Sequence, residues 1–164
     1  MENISPIDNR YFERVKEIAN NFSYLNWTKY RVKIEIDYLI SLVKLLHKQD
    51  IKYLEKIYQN FDINDMNNIL DYERKTKHDI KAIEYYIAEF IPEKKNLIHF
   101  GLTSQDINSI AFSLQLKDCI DNNIIHQLYI VKSVISILSE KWKNTIIMAY
   151  THGQPAIPTK LGKE

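Results

Sequence analysis

Glycine and proline are scarce in this sequence, and their distribution restricts the fold. The 164 residues include three glycines and four prolines, and neither residue type occurs between Ile7 and Ile91. Sheet proteins need turn residues at short intervals, so a gap of this length favours long helices. We therefore predict an all-α fold, with a domain boundary near residues 100–110, where shorter predicted helices give way to longer ones.

Cysteine is also scarce, and the sequence lacks a surplus of either charge and long apolar runs. Cys119 is the single cysteine, which excludes an intramolecular disulfide and a cysteine-based metal cluster and fits a reducing compartment. The 22 basic residues nearly balance the 21 acidic ones, which disfavours nucleic acid and anionic membranes as partners. No run approaches the ~20 apolar residues of a membrane span, and the N-terminus lacks the features of a signal peptide. We expect a soluble, cytoplasmic protein.

Apolar residues recur at helical spacing in several segments. The first long helix is predicted from Trp27 to Lys48. Its apolar residues are spaced by four and three positions, and this helical pattern is longer than the strand-like alternation over residues 32–38. Asp50 and Asp62 are the expected N-caps of two shorter helices. A last long helix is predicted to begin near Ile124 and to end near Asn144.

The segment that follows this helix has a different character. Residues 146–158 contain glycine and two prolines and predict an extended connection, whose apolar start, residues 146–150, is expected to be buried. Residues 160–164 are expected to begin a further helix. Because that helix would lack length and a packing partner, we interpret the chain as truncated.

Two segments match the Ser/Thr-x-x-acid pattern that opens a helix, from Thr76 to Asp79 and from Thr103 to Asp106. A helix N-terminus offers free N–H groups to phosphate or carboxylate, and Lys77 and Arg10 could add full charges. The hydroxyl residues could equally serve only as caps, because capping boxes are common.

Histidine supplies the candidate for proton transfer. His78 lies in the first of these segments, and His152 lies in a polar stretch with glycine and proline, Thr151-His152-Gly153-Gln154-Pro155. Histidine is the usual proton donor or acceptor near neutral pH. The sequence has no Walker loop, Rossmann glycine pattern, zinc spacing or nucleophile elbow. The residues alone predict a helical protein with an anion-binding site that contains histidine.

Four segments, in order along the chain, resemble those of adenylosuccinate lyases in the aspartase/fumarase superfamily. They are Ser5-Pro6-Ile7-Asp8-Asn9-Arg10-Tyr11, Thr76-Lys77-His78-Asp79-Ile80-Lys81-Ala82, His99-Phe100-Gly101-Leu102-Thr103-Ser104-Gln105-Asp106-Ile107-Asn108, and Thr151-His152-Gly153-Gln154-Pro155-Ala156 running on to Gly162-Lys163-Glu164. The resemblance implies a lyase of purine biosynthesis that releases fumarate from adenylosuccinate, giving AMP, and from SAICAR, giving AICAR. It implies no cofactor, no metal, no nucleic acid and no membrane.

The resemblance also implies roles for residues. Arg10 and Tyr11 would contact the nucleotide, Lys77, His78 and Asp79 would line the substrate site, and Thr103 and Ser104 would hold a succinyl carboxylate. His152 would be the general acid, with His78 near the reacting region. The family's general base is a serine on a loop whose signature does not occur in this sequence, so we expect these 164 residues alone to be inactive.

The family's architecture implies a homotetramer whose active sites are assembled from different subunits around a central helical bundle. Residues 1–108 would form the N-terminal helical domain, and residues 109–164 the truncated beginning of the bundle. Argininosuccinate lyase and fumarase remain alternatives within the superfamily. A catalytically inactive helical module that oligomerises or binds nucleotide is an alternative of another class.

Overall fold

The structure is a computed structural model that describes residue 7, residues 9–43 and residues 48–164, with only the backbone for residues 48–50. Helices dominate these residues, as the scarcity of glycine and proline predicts, and one small sheet accompanies them. The α-helices are α1 (Phe12–Phe22), α2 (Tyr24–Leu42), α3 (Lys48–Gln59), α4 (Ile63–Thr76), α5 (Asp79–Phe90), α6 (Ser104–Cys119) and α7 (Ile125–Lys141). A 3₁₀ helix spans Pro92–Leu97, a π-helical turn spans Ile120–Ile124, and the strands are β1 (Ile146–Thr151) and β2 (Gln154–Lys160).

The chain divides into two compact units, the first ending at Cys119 and the second running from Ile120 to Glu164. The domain boundary predicted between residues 108 and 109 lies within α6. That division into domains stays a prediction. No helix among the described residues combines the length and the apolar character needed to cross a membrane.

Helix α2 is central to the first unit, where it packs against α1, α3, α5 and α6, and α4 packs against α5. Its apolar residues are fully buried at several turns, including Val32, Ile36 and Leu39. Residues from the other helices complete the core, among them Leu54, Ile69, Ile80, Ile83, Tyr86, Ile87, Ile107 and Ala111. Burying each such side chain contributes about 1.5–3 kcal/mol, so α2 is held firmly and can position other segments.

The helix boundaries differ in part from the predicted ones. Ser23 caps α2 by accepting the Asn26 N–H, and the helix ends at Leu42, while residues 44–47 lie outside the described part. Asp50 is not an N-cap, because α3 already begins at Lys48. Acidic residues are favoured both at the cap and in the first turn, so the pattern could not separate the two positions.

The predicted cap at Asp62 is confirmed. Its carboxylate accepts the N–H groups of Asn64 and Asp65, and the Asp65 side chain accepts the Asp62 N–H at 2.9 Å in return. This reciprocal arrangement satisfies donors that the first turn of α4 would otherwise leave free.

In the second unit, α7 is followed by an antiparallel hairpin in which Ile146 pairs with Lys160 and Thr151 with Gln154. The predicted long helix is confirmed, and the predicted extended connection is this hairpin. The expectation that residues 146–150 are buried is wrong, because Ile146 is 75% exposed and Tyr150 is 65% exposed. A two-stranded sheet covers neither of its own faces, so β propensity does not by itself bury these side chains.

The helix predicted to start at Lys160 is also wrong. Lys160 ends β2, and the next residues turn back onto the end of α7. The Gly162 N–H donates to the Trp142 carbonyl at 3.1 Å, and the Leu161 N–H donates to the Thr145 carbonyl at 2.9 Å. These two backbone hydrogen bonds hold the turn against the residues that follow α7.

Candidate functional site

His78 occupies the junction between α4 and α5. The predicted helix start at Thr76 is wrong, because α4 runs through Thr76 and ends on Lys77 in the left-handed conformation, with φ of 55°. His78 is the N-cap of α5, and its Nδ1 accepts the Lys81 N–H at 3.2 Å. Thr76 stabilises this junction and does not begin a helix. Its hydroxyl accepts the His78 N–H and donates to the His78 carbonyl.

The capping hydrogen bond determines the tautomer of the neutral His78 ring. A ring nitrogen that accepts a hydrogen bond carries a lone pair, so the neutral ring has its hydrogen on Nε2. The side chain is 53% exposed. His78 therefore combines a structural role at the cap with an exposed N–H donor.

Asp79 is held by a buried arginine from α2. Arg31 donates to Asp79 Oδ2 at 2.7 Å and to Asn108 Oδ1 of α6 at 2.9 Å, and it lies 4.7 Å from the centre of the Trp27 ring. Burial raises the pKa of the Asp79 carboxyl, but the Ile80 N–H and the Arg31 charge outweigh it and hold the pKa below its ordinary value. Arg31 thus ties the starts of α5 and α6 to α2.

A second buried pair lies one turn further along α2. Glu35 is fully buried, and its Oε1 lies 2.6 Å from Nδ1 of His99, whose side chain is 14% exposed. The other carboxylate oxygen, Oε2, is the one buried side-chain polar atom without a hydrogen-bond partner among the residues described. Burial raises the pKa of Glu35, opposed by the hydrogen bond and the charge of His99.

The segment from His99 leads directly into α6. His99 has a left-handed backbone with φ of 59°, and the Tyr38 hydroxyl of α2 donates to the Phe100 carbonyl at 2.7 Å. Helix α6 begins at Ser104, and Asp106 accepts the Thr103 N–H at 2.8 Å. The predicted helix start at Thr103 and Ser104 is therefore confirmed, and a carboxylate already lies beside it.

Arg10 and Tyr11 lie at the start of the described chain, on an exposed surface. The guanidinium of Arg10 lies 5.4 Å from the centre of the Tyr11 ring, and that of Arg14 lies 5.9 Å from it. Two cations beside one phenol suit an anionic ligand. Ser5, Pro6 and Asp8 of the same motif lie outside the described residues.

His152 belongs to the second unit, whereas the other predicted site residues belong to the first. His152 and Gly153 are the two residues between the paired Thr151 and Gln154, with φ of 52° and 77°. Positive φ at both central residues is the requirement of the type I′ turn, which matches the twist of a hairpin. Glycine meets this requirement without strain, and the exposed histidine is held at the tip.

Sequence reasoning missed the two buried charged residues of α2, Arg31 and Glu35, and it noted His99 without giving it a role. Arg31 and Glu35 are four residues apart in a helix that is otherwise largely apolar on its inner side. Two opposite charges at this spacing within an apolar pattern could have indicated buried residues with charged or polar partners, because buried charges need partners. Among the residues described, no three or more His, Cys, Asp or Glu side chains group in a way that could hold a metal ion.

Comparison with known proteins gives a match over most of the chain. A family model described as Lyase covers residues 14–164. The chain belongs to this Lyase family. Among solved structures, it is similar to a fumarate lyase from Mesorhizobium sp. BNC1, with a TM-score of 0.72 at 19% identity over 90% of this chain and 35% of that one. A 3-carboxy-cis,cis-muconate lactonizing enzyme from Pseudomonas putida has a TM-score of 0.69 at 23% identity, over 96% of this chain and 36% of that one. At these identities the likeness shows the fold alone.

Curated proteins are more similar in sequence than these solved structures. The adenylosuccinate lyase of Dictyostelium discoideum is 40% identical, that of Buchnera aphidicola from Acyrthosiphon pisum is 38% identical, and that of Escherichia coli K12 is 34% identical. Each alignment covers 98% of this chain and 38% of the relative. The resemblance to adenylosuccinate lyases is confirmed, and the chain spans about 38% of the length of these relatives.

Proposed function

We propose that the protein containing this chain eliminates fumarate from adenylosuccinate, giving AMP, and from SAICAR, giving AICAR. The observation that carries the proposal is identity of 34–40% to adenylosuccinate lyases over 98% of the chain. Two further observations support it: the alignments span nearly the whole chain, and four of its segments resemble those of adenylosuccinate lyases. No cofactor is needed, because elimination requires only a base and an acid.

His152 is the general acid in this proposal. The base, a serine outside this sequence, removes a proton from the succinyl carbon next to the one that bears nitrogen. The C–N bond then breaks, its electron pair goes to the nitrogen, and His152 supplies the proton that makes this nitrogen a neutral leaving group. The hairpin tip supports the assignment, because it holds an exposed imidazole on a short turn of defined backbone.

The other three segments bind the anionic groups of the substrate in this proposal. Arg10 and Tyr11 contact the nucleotide phosphate, with Arg14 as a further cation beside the same ring. Thr103 and Ser104 at the start of α6 bind a succinyl carboxylate, since a helix N-terminus favours negative charge. Lys77, His78 and Asp79 line the substrate site, where the Nε2 hydrogen of His78 is a donor near the reacting region. His78→Ala should therefore change both kcat and substrate affinity.

We further propose a cytoplasmic homotetramer. The single, buried cysteine fits a reducing compartment. The large exposed apolar side chains of α7, such as Leu128, Tyr129 and Ile137, suit burial against other helices in an assembly.

Fumarate release from the purified full-length protein tests the function. Adenylosuccinate, SAICAR and argininosuccinate are offered separately, with fumarate measured by its absorbance. Release from both purine intermediates is the expected result. Turnover of argininosuccinate without either purine substrate would replace the proposal with an argininosuccinate lyase. No turnover of any substrate would favour an inactive binding module.

A further inference from the structure

The buried pair of Glu35 and His99 is the feature of the first unit that no predicted role explains. A carboxylate that is fully removed from water is costly unless it is hydrogen-bonded on both oxygens. Oε1 of Glu35 pairs with Nδ1 of His99, whereas Oε2 has no hydrogen-bond partner within the described residues. An apolar side chain would fill this core position at lower cost, so the carboxylate is better explained by what it does to His99.

The ionised form of Glu35 fixes the direction of its hydrogen bond with His99. When Glu35 is a carboxylate, it can only accept a hydrogen bond, so Nδ1 of His99 donates. A neutral His99 ring then carries its lone pair on Nε2. This is the opposite tautomer to that of His78, whose Nδ1 accepts. The two histidines would therefore offer a substrate one acceptor and one donor nitrogen.

The pair also adjoins a segment already assigned to the substrate. His99 lies four residues before Thr103, in the left-handed conformation, and the next carbonyl, that of Phe100, is held by Tyr38 from α2. Glu35 and Tyr38 are three residues apart on α2, which places them on neighbouring positions of one helical face. Both fasten the same turn to α2.

We propose that Glu35 is a positioning residue that holds the His99 ring with Nε2 as its acceptor nitrogen, next to the segment that carries Thr103 and Ser104. Its effect on turnover rests on the proposed function, whereas its effect on the His99 segment does not. Glu35 itself does not touch the substrate. It acts through His99, as a carboxylate that orients a histidine does elsewhere in proteins.

A double-mutant cycle in the full-length protein tests this role. Glu35→Met removes the acceptor at nearly the same volume, and Glu35→Gln keeps an oxygen that can accept from Nδ1. His99→Asn removes Nε2 but keeps a donor for Glu35 and a residue that tolerates positive φ. Glu84→Gln is the matched control, since Glu84 lies close enough to influence Glu35 electrostatically but pairs with Lys81.

We expect Glu35→Met to lower kcat/KM for fumarate release by about tenfold or more, the size of effect typical of a group that orients an active histidine. Glu35→Gln should recover much of the loss, and Glu84→Gln should leave kcat/KM unchanged. With His99→Asn already present, Glu35→Met should cost less than about threefold, because no ring is left to orient. Equal losses in both backgrounds would mean that Glu35 is only structural, and would overturn the proposal.

Hydrogen–deuterium exchange supplies a readout that does not depend on turnover. Backbone amides of residues 98–106 should exchange faster in Glu35→Met than in the wild type, with no change in Glu84→Gln. Unchanged exchange in Glu35→Met would contradict the positioning role. If the wild-type protein releases no fumarate at all, the proposed function fails, and the exchange measurement alone still decides whether Glu35 positions the His99 segment.

Discussion

At the scale of single residues, backbone strain is concentrated in segments that we propose bind or adjoin the substrate. Within the described residues, Lys77, His99 and His152 are the three non-glycine residues with positive φ. The left-handed conformation costs a residue with a Cβ roughly 1–2 kcal/mol. Such strain persists where the surrounding structure over-determines the backbone, and it is frequent at ligand sites. Each of the three residues lies in one of the four segments that resemble adenylosuccinate lyases.

His152 is expected to act in the transition state. His152→Ala in the full-length protein should lower kcat by about 10²–10⁴-fold with little change in substrate affinity, because an acid at the leaving nitrogen acts mainly as the C–N bond breaks. His152→Asn keeps a residue that tolerates the turn, so its melting temperature should match that of the wild type while kcat falls equally. Early melting together with normal turnover per folded molecule would show that His152 is structural.

Asp79 is expected to contribute stability that depends on pH. Its pKa is lowered from 3.8, so its contribution is present above about pH 4 and is lost as the pH falls through the lowered value. Asp79→Asn should reduce the free energy of unfolding by about 1–2 kcal/mol at neutral pH, since partial exposure screens the bond to Arg31. The difference should shrink near pH 3.

Urea unfolding at the two pH values measures this difference, with Asp71→Asn as the control. Asp71 pairs with Arg74 on the exposed face of α4, and exposed pairs contribute little. A constant difference between Asp79→Asn and the wild type across this pH range would show that the ionised carboxylate is not what stabilises the fold.

At the scale of elements, the sequence predicts a structure where a local signal is sufficient. The cap at Asp62, the start of α6 and the long α7 were predictable because capping boxes and apolar spacing are local. The hairpin was not, because residues 146–160 contain prolines, and the pairing of two strands is a longer-range property. The binding of Asp79 and His99 by α2 was also beyond prediction. Arg31 and Asp79 are separated by 48 positions in the sequence, and Glu35 and His99 by 64. No local sequence pattern records contacts at such separations.

Gly162 shows how tightly the hairpin returns to α7. A Cβ on this residue would lie 2.2 Å from the Ser139 carbonyl oxygen and 2.7 Å from the Lys143 nitrogen. Both are backbone atoms, which cannot rotate away, so Gly162→Ala should destabilise the second unit by about 1–3 kcal/mol or more.

Thermal unfolding of Gly162→Ala beside Gly153→Asn measures this effect. Gly153 has positive φ, which asparagine adopts at a cost of roughly 1 kcal/mol, and a Cβ on this residue would meet nothing within 4 Å, so this comparison variant should lose less stability than Gly162→Ala. Equal melting temperatures for Gly162→Ala and the wild type would show that the end of the chain moves away from α7 without loss.

At the scale of the whole molecule, α7 carries more exposed apolar surface than a helix of a monomeric protein needs. None of its residues is buried, and its large exposed apolar residues include Leu128, Tyr129, Ile130, Val131, Val134, Ile135 and Ile137. Exposed apolar patches of this extent mark surfaces that interact with other chains.

Ile137→Asp tests the proposed assembly. Ile137 is 66% exposed, so an aspartate there leaves the chain's own fold intact but would place an unpaired charge in an interface, at a cost of several kcal/mol. The full-length variant should elute at a lower mass than the wild type in size-exclusion chromatography with light scattering. Ile63→Asp is the control, because Ile63 is 57% exposed at the start of α4, where a carboxylate is tolerated. An unchanged mass for Ile137→Asp would exclude this face from the assembly.

The apolar surface of α7 also bears on how the protein responds to its own concentration. If each subunit buries this surface against another subunit, folding is linked to association. Mass action then makes the melting temperature rise with protein concentration. Dilution then weakens the fold as well as the assembly. In a cell, a newly made chain would expose α7 until it met others, and in that interval it would be a target for chaperones and proteases.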